Sequence, residues 1–290
     1  MFHLLNCQIE GEGGVKTIIV GKNSNLSIHL RNNLKDSISI SSRDIASDLN
    51  VLFKYKKYKI NIIFNNFQPA TKLNEMINTE EYIMNSIGIT SKILNYCLIN
   101  NISINKIIYT SSSSVYGSNI FCTETDELKP MNLHASLKVA NEKMIEEFCV
   151  KNDIDFTITR LFNMYGGDDK FSIISKLIST VRNYNEITIV NHGNAIRDFI
   201  HIDDVVDIYE KILEKKDIAV LNVGTGKGSS VKGVIDFLNN YDITINTQNI
   251  FRNELKTSTA NSKLLNDVLN KESFIKVEDY IKKELNLSNK

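Results

Sequence analysis

The sequence predicts an α/β protein in which a doubly wound parallel-sheet domain precedes a smaller C-terminal domain. Short, continuously apolar runs recur through the first half of the chain, and helical stretches separate them. This alternation is typical of a parallel sheet that helices cover on both faces. After Arg160 the elements become shorter, and turns rich in glycine and asparagine separate them. A length of 290 residues suits one large domain or two modest ones.

The strands and helices of the first half follow in order from these patterns. An apolar or β-branched run that ends at a turn residue predicts a strand, and a longer amphipathic run predicts a helix. The predicted strands are residues 16–20, 37–41, 61–64, 106–110 and 156–160. The predicted helices are residues 26–34, 75–100, 133–151 and a final helix from about residue 277.

The boundary between the two domains is predicted near Tyr165. Residues 1–164 form the sheet domain, residues 195–215 cross back to it, and residues 165–290 form mainly the smaller domain. In a doubly wound sheet, ligands bind outside the carboxyl ends of the parallel strands. The residues that follow each strand are therefore the candidates for a functional site.

Composition argues against several classes of function. The 34 basic residues balance the 34 acidic ones, so the net charge gives no electrostatic footprint for nucleic acid or an anionic membrane. No apolar run approaches the roughly 18–20 residues of a membrane helix, and the N-terminus lacks the basic start of a secretory signal. The four cysteines form no CxxC pair and no cluster with histidine. We therefore expect a cytoplasmic protein with reduced thiols and without a metal site.

The turn after the first predicted strand contains part of a dinucleotide-binding fingerprint. Gly21 stands where the first glycine permits a tight turn and close approach of a pyrophosphate. Ser24 and Ser27 stand where the further glycines are expected. An ordinary strand–helix turn is equally consistent with this segment.

Ser42 and Arg43 follow the second predicted strand. An acidic residue near this place binds the adenosine ribose of NAD, whereas an arginine suits the 2′-phosphate of NADP. Arg43 therefore favours NADP over NAD as the cofactor. The alternative is that Asp44 caps the next helix and that Arg43 is solvated.

A run of four serines, residues 111–114, ends the fourth predicted strand. Its place at the carboxyl end of a central strand favours a functional role over a turn that solvates itself. Further along the chain, His134 and Lys138 are four residues apart and therefore share one face of a helix.

Five stretches of the chain, in this order and at these spacings, resemble the extended short-chain dehydrogenase/reductase family of nucleotide-sugar epimerases, dehydratases and reductases. They are residues 107–117 (IIYTSSSSVYG), 123–142 (TETDELKPMNLHASLKVANE), 159–166 (TRLFNMYG), 196–207 (IRDFIHIDDVVD) and 221–231 (LNVGTGKGSSV). The resemblance covers nearly the whole chain from Lys16. It implies a Rossmann domain that binds NAD or NADP, and a C-terminal domain that binds a nucleoside-diphosphate sugar.

The resemblance also implies roles for single residues. Ser112 occupies the family's catalytic Ser/Thr position and would hydrogen-bond the reacting sugar oxygen. Lys138 matches the lysine that binds the nicotinamide ribose. The implied substrate contacts are Ser113, Asn163, Arg197 and Arg252, of which the two arginines would grip the diphosphate.

The chain departs from the family's pattern at positions that bear on chemistry. His134 stands where the family has its catalytic tyrosine, four residues before the lysine. A neutral imidazole can accept a proton and an imidazolium can donate one. The charge of Lys138 is expected to lower the pKa of His134 and favour the neutral form. Ser113 and Ser114 stand where the 4,6-dehydratases have an acid pair, which disfavours a dehydratase.

The predicted function is that of an NAD(P)-dependent 4-keto-sugar reductase of surface-polysaccharide sugar biosynthesis, in which His134 and Ser112 serve the proton transfer at C4. One alternative is a nucleotide-sugar C4 epimerase with tightly held NAD. Another is a non-catalytic sugar-nucleotide-binding protein that has lost its tyrosine. The resemblance further implies a homodimer formed through the helices predicted at residues 75–100 and 133–151.

Overall fold

A six-stranded, fully parallel sheet forms the centre of the structure, a computed structural model that describes residues 14–66, 73, 78–271 and 273–288. In chain order the strands are β1 (Val15–Val20), β2 (Ser37–Ile40), β3 (Lys59–Phe64), β4 (Ile104–Ser112), β5 (Phe121–Cys122), β6 (Asp155–Leu161), β7 (Asn163–Tyr165), β8 (Glu186–Val190), β9 (Ile196–His201), β10 (Val220–Val223), β11 (Gly228–Ser230), β12 (Asn246–Ile250) and β13 (Thr257–Ala260). The large sheet has the order β10-β6-β4-β3-β1-β2.

Ten α-helices accompany these strands in the described part of the chain. They are α1 (Asn25–Asn33), α2 (Ser42–Ser47), α3 (Thr79–Ile83), α4 (Ile89–Ile99), α5 (Leu133–Asn152), α6 (Ile173–Asn183), α7 (Ile202–Glu214), α8 (Val231–Asn239), α9 (Lys263–Leu269) and α10 (Val277–Leu285). None of them is long and apolar enough to cross a membrane.

The five predicted strands and the α/β class are confirmed, with strand ends shifted by one or two residues. The helix predicted for residues 75–100 differs from the expectation. Residues 74–77 lie outside the described residues, and a π-helical turn at Met84–Gly88 separates α3 from α4.

Burial on both faces explains the apolar runs of β1 and β3, which lie inside the large sheet. In β1, Ile18 and Val20 pack into a core that also holds residues of α4 and α5. Ile19 points to the opposite face and packs into a second core with residues of α1, α7 and α9. No position in the middle of such a strand is left for a polar, solvent-facing residue.

The order of the strands creates a crevice at the carboxyl ends of β1 and β3. The chain leaves β1 to form β2 on one side of it, and β3 then pairs with β1 on the other side. Helices that leave neighbouring strands on opposite faces of a sheet open such a crevice, which is where doubly wound proteins bind ligands.

Strand β5 and the residues beyond β6 build smaller sheets, and a separate core lies beside them. One sheet has the order β11-β9-β13-β5, with β7 paired to β9, and β8 pairs with β12. Side chains of α6, α8 and α10 pack together beside them. Between these elements the chain returns to the large sheet, because α7 packs against α1 and β10 pairs with β6.

A buried ion pair joins α5 to the large sheet. Arg160 in β6 donates through Nη2 to Glu142 of α5 at 2.8 Å, and each residue is about 5% exposed. Ser111 of β4 also donates to this carboxylate, and Arg160 Nη1 donates to the hydroxyl of Tyr116 at 3.0 Å. The pair is therefore satisfied on all sides, which is the condition for holding two charges inside a protein.

We predict that Glu142→Ala lowers the free energy of unfolding by about 3–5 kcal/mol, because it leaves the Arg160 charge buried without its partner. Urea unfolding measures this change. The matched control is Glu146→Ala, which removes an exposed ion pair with Lys143 on the same helix and should cost less than about 1 kcal/mol. Equal losses for the two variants would contradict a structural role for the buried pair.

Candidate active site

A cleft of about 660 Å³ opens at the carboxyl ends of β1, β2, β3 and β4. Its wall brings together residues that are far apart in the sequence. The cofactor candidates Gly21, Ser24, Ser42 and Arg43 line this cleft, as do the catalytic candidates Ser112, His134 and Lys138. The segments after four different strands thus meet at one place, as the sheet topology requires.

The turn after β1 depends on Gly21. Its φ is +106°, and a Cβ at this position would lie 2.2 Å from the backbone oxygen of Asn65. A residue with a side chain would therefore meet both backbone strain and a steric clash. Glycine thus lets the turn after β1 lie directly against the segment that follows β3.

The two serines that replace glycines are held by one another and by an asparagine. Ser24 is the N-cap of α1 and accepts a hydrogen bond from the Ser27 backbone N–H at 3.1 Å. Asn65, directly after β3, donates to the hydroxyls of Ser24 at 2.7 Å and Ser27 at 2.9 Å. Ser27 is fully buried beneath the turn, so of the two serines Ser24 alone reaches the cleft wall.

The segment after β2 places Ser42 and Arg43 at the edge of the cleft, with Arg43 exposed. Ser41 is the N-cap of α2 and accepts from the backbone N–H of Arg43 at 3.1 Å. The alternative prediction that Asp44 caps this helix is therefore wrong. Asp44 lies in the first turn, where its charge complements the helix dipole.

Ser112 is the last residue of β4 and caps the short 3₁₀ turn Ser113–Tyr116. Its hydroxyl oxygen accepts from the Ser114 backbone N–H at 3.2 Å and from the Ser114 hydroxyl at 3.0 Å. These two donors engage the oxygen's lone pairs and leave the Ser112 proton to point elsewhere. Ser113 lies within the turn and is not part of the cleft wall.

Lys138 lies under the cleft with its ammonium group almost fully buried. Its Nζ donates to the backbone oxygen of Thr110 at 2.6 Å and lies 5.2 Å from the centroid of the Tyr109 ring. Burial lowers the pKa of Lys138 to about 7, against the opposing effect of the Glu142 carboxylate. The charge of this lysine is therefore sensitive to pH near neutrality.

His134 is the second residue of α5 and is held against Tyr82 of α3. The Tyr82 hydroxyl oxygen lies 2.6 Å from His134 Nδ1. Burial, and to a smaller extent the charge of Lys138, lowers the pKa of His134 to about 4. The expected effect of Lys138 is confirmed in direction, but burial is the larger cause, and the imidazole is neutral at pH 7.

Asn66 is a residue of the cleft wall that the sequence analysis missed. Its Nδ2 donates to the backbone oxygens of Asn85 at 2.9 Å and Ser86 at 3.1 Å. Its Oδ1 is buried, and no donor reaches it within the described residues. The sequence feature that could have predicted this residue is the polar pair Asn65 and Asn66, which directly follows the apolar strand β3.

A second cavity of about 420 Å³ lies on the side of the smaller sheets. Asn163 and Arg197 line it, and Phe171 lines both cavities, so the two adjoin. Asn163 donates to the backbone oxygen of Asp198 at 3.0 Å, and Arg197 forms an ion pair with Glu254 at 3.2 Å. Arg252 is exposed and lines neither cavity.

The first cleft fits an elongated dinucleotide. The tight turn that begins at Gly21 lines the cleft just before the N-terminus of α1, and a helix N-terminus is a place where a pyrophosphate binds well. The buried Oδ1 of Asn66 offers an acceptor to a ligand hydroxyl. Ser42 and Arg43, where the second strand ends, line the same cleft as Lys138.

Known proteins share parts of this sequence and the whole of this fold. "Protein CapI" of Staphylococcus aureus is 34% identical over 118 residues, which cover 39% of this chain and 35% of that protein. The dTDP-D-glucose 4,6-dehydratase of Dictyostelium discoideum is 28% identical over 242 residues, which cover 70% of this chain and 55% of that enzyme. The matched segments thus span between about a third and just over half of these curated relatives.

A solved structure described as "MoeE5 in complex with UDP-glucuronic acid and NAD" superposes with a TM-score of 0.82. The alignment covers 92% of this chain and 96% of that one at 21% identity, which establishes a common fold.

Family membership follows from a match that extends over most of the chain. The model described as "NAD dependent epimerase/dehydratase family" matches residues 13–224, which include β1, the serine run after β4, His134 and Lys138. The chain belongs to the NAD dependent epimerase/dehydratase family.

Proposed function

We propose that this protein is a 4-keto-sugar reductase that acts on a nucleoside-diphosphate sugar. The observation that carries the proposal is the convergence of Ser112, His134 and Lys138 on one cleft with the turns after β1 and β2. The side chains that handle a proton thus face the same space as the backbone that suits a dinucleotide. The second cavity adjoins this space and offers room for the nucleotide part of the substrate.

The proposed cofactor is NADP. The turn at Gly21 would hold the pyrophosphate, Lys138 the nicotinamide ribose and Arg43 the 2′-phosphate. A bound nicotinamide supplies the hydride. Arg43 is exposed at the end of β2 and lines the cleft. NADP in its reduced form suits a reductase, since such an enzyme consumes the cofactor in each turnover.

The roles proposed for the chain's own residues follow from their contacts. The Ser112 proton is directed away from Ser114 and would donate to the C4 oxygen of the sugar. His134, neutral at pH 7, would pass a proton to the same oxygen as charge develops there. Lys138, fixed by Thr110, would add positive charge beside the reacting oxygen while its Nζ is protonated.

The substrate diphosphate is proposed to bind in the second cavity against Arg197. A guanidinium group matches the geometry of phosphate oxygens. In the structure Arg197 is paired with Glu254, so a diphosphate must replace or share this partner. Arg252 lies outside the cavity wall, which makes Arg197 the principal arginine in this proposal. Asn163 and Ser113 remain proposed contacts to the sugar.

A C4 epimerase is the second candidate, and the low pKa of His134 favours it. A neutral imidazole is ready to accept the proton of a sugar hydroxyl, which is the first step of an oxidation. The same residue would return that proton after the keto-sugar has rotated in the site and presents its other face to the cofactor. The distinguishing property is whether the cofactor is consumed.

We also propose a homodimer that forms through α4 and α5. Leu98 and Ile99 at the end of α4 and Val150 near the end of α5 are all more than half exposed. Exposed apolar side chains on two neighbouring helices are typical of an interface between subunits.

The function is tested by incubating the protein with NADPH and a UDP- or dTDP-linked 4-keto-hexose. We expect one NADPH to be oxidised for each sugar reduced, which absorbance and mass spectrometry both measure. Conversion of a UDP-hexose into its C4 epimer without net cofactor consumption would replace the proposal by the epimerase. Binding of both ligands without turnover would show a non-catalytic protein.

We predict that Arg43→Ala weakens the binding of NADPH about ten- to a hundredfold more than that of NADH. The reason is the loss of a charge-assisted contact of roughly 1.5–3 kcal/mol to the 2′-phosphate. Fluorescence titration of both cofactors gives the two dissociation constants. Arg31→Ala, at an exposed arginine of α1 that does not line the cleft, is the control. Equal losses of affinity for NADPH and NADH would show that Arg43 does not contact the 2′-phosphate.

We predict that His134→Ala lowers kcat by about a hundred- to ten-thousandfold, the usual contribution of a positioned proton donor. Binding of the sugar nucleotide, measured by calorimetry, should stay nearly unchanged. Because the pKa of His134 is about 4, the pH–rate profile should show an inflection near that pH, where the imidazole changes its protonation state. This inflection should disappear in His134→Ala.

His134→Tyr separates the remaining interpretations of this position. Activity that is kept or raised would show that the scaffold still supports a tyrosine at the family's catalytic position. An inactive wild type that becomes active through His134→Tyr would show that His134 marks a lost active site.

A further inference from the structure

Tyr82 lies behind the imidazole of His134, on the side away from the cleft. The tyrosine is 3% exposed and is not part of the cleft wall, whereas His134 is. Its hydroxyl oxygen lies 2.6 Å from His134 Nδ1, and the two rings meet edge to face at 62°. The contact spans 52 residues of sequence. Nδ1 therefore faces Tyr82, while His134 itself lines the cleft.

The protonation states of the two groups define what this contact can do. Burial raises the pKa of Tyr82 to about 12, so its phenol carries a proton at pH 7. Burial and Lys138 keep the imidazole neutral at that pH. In a neutral imidazole one nitrogen donates and the other accepts, and the hydrogen bond at one nitrogen sets the state of the other. A phenol that donates to Nδ1 therefore places the imidazole proton on Nε2.

A neutral imidazole cannot serve as an acid by itself. Loss of the Nε2 proton would leave an imidazolate, an unstable anion, unless Nδ1 gains a proton in the same step. With a pKa of about 4, the imidazolium form is too rare at pH 7 to carry the reaction. A proton donor at Nδ1 is therefore required if His134 is to protonate the sugar, and Tyr82 stands at that nitrogen.

We propose that Tyr82 is the positioning residue for His134 and the source of the proton that replaces the one His134 gives away. This inference rests on the proposed function. The Tyr82 O–H bond breaks as an N–H bond forms at Nδ1, and the Nε2–H bond breaks as an O–H bond forms at the C4 oxygen of the sugar. His134 ends neutral with its proton on Nδ1, and Tyr82 ends as a phenolate. After the product leaves, a water in the cleft protonates Nε2 and Nδ1 returns its proton to the phenolate, which resets the pair.

The direction of this transfer follows from the acidity of its ends. A phenol, even one with a pKa of about 12, is a stronger acid than the alcohol that forms, so the net movement of the proton toward the alkoxide is favourable. Among the described residues, titratable groups on two other elements act on the pair. Lys138 on α5 interacts with His134, and Tyr109 on β4 interacts with Tyr82.

The experiment uses Tyr82→Phe, which keeps the ring and removes the hydroxyl. We expect kcat to fall about a hundredfold, the lower end of the usual effect of positioned proton transfer, with KM and the dissociation constant of NADPH within about twofold. Tyr96→Phe is the matched control. It removes a tyrosine hydroxyl of α4, which donates a hydrogen bond to Asn50 away from His134.

A second readout does not depend on activity. Nitrogen-15 NMR of His134 in the full-length protein should show the Nε2–H tautomer in the wild type and in Tyr96→Phe. In Tyr82→Phe we expect a mixture of tautomers. If the protein turns over no sugar, the proposed function fails while this measurement still reports on the Tyr82 contact.

The proposal is overturned by an Nδ1–H tautomer in the wild type, or by a kcat of Tyr82→Phe that matches Tyr96→Phe. The His134→Tyr background gives a further test. In that variant the tyrosine at position 134 can donate its own proton to the sugar, so adding Tyr82→Phe should change kcat little. A hundredfold loss of kcat would contradict the proposed proton transfer from Tyr82.

Discussion

The ion pair between Arg160 and Glu142 fixes how α5 lies on the sheet, and the geometry of the candidate site depends on it. Glu142, Lys138 and His134 are spaced four residues apart, so they share one face of this helix. A rotation that moved Glu142 away from Arg160 would also withdraw His134 and Lys138 from the cleft. One buried charge pair thus holds in place the residues to which we assign the chemistry, about two turns away.

The same buried environment sets the proton chemistry that we propose. Removal from water disfavours a positive charge, which lowers the pKa of His134 and of Lys138. A histidine in water would be partly protonated near neutrality, whereas this one is an uncharged group that must exchange protons through both nitrogens. The contact with Tyr82 provides a proton donor at one of these two nitrogens, Nδ1.

The features that could be predicted from the sequence are those that local patterns determine. The apolar strands, and the spacing of His134 and Lys138 after the serine run, follow from periodicity and from the family resemblance. Contacts between distant segments left no such pattern. Tyr82 meets His134 across 52 residues and Asn65 meets Ser24 across 41. The size of a pKa shift depends on burial, which a spacing argument cannot supply.

The π-helical turn at Met84–Gly88 has a consequence for insertions and deletions in this segment. A π turn holds one residue more than an α turn of the same rise, and one residue corresponds to about 100° of rotation about a helix axis. Deletion of a residue here would let α3 and α4 merge in a common phase and swing Tyr82 away from the imidazole. In this segment the number of residues is therefore constrained as well as their identity.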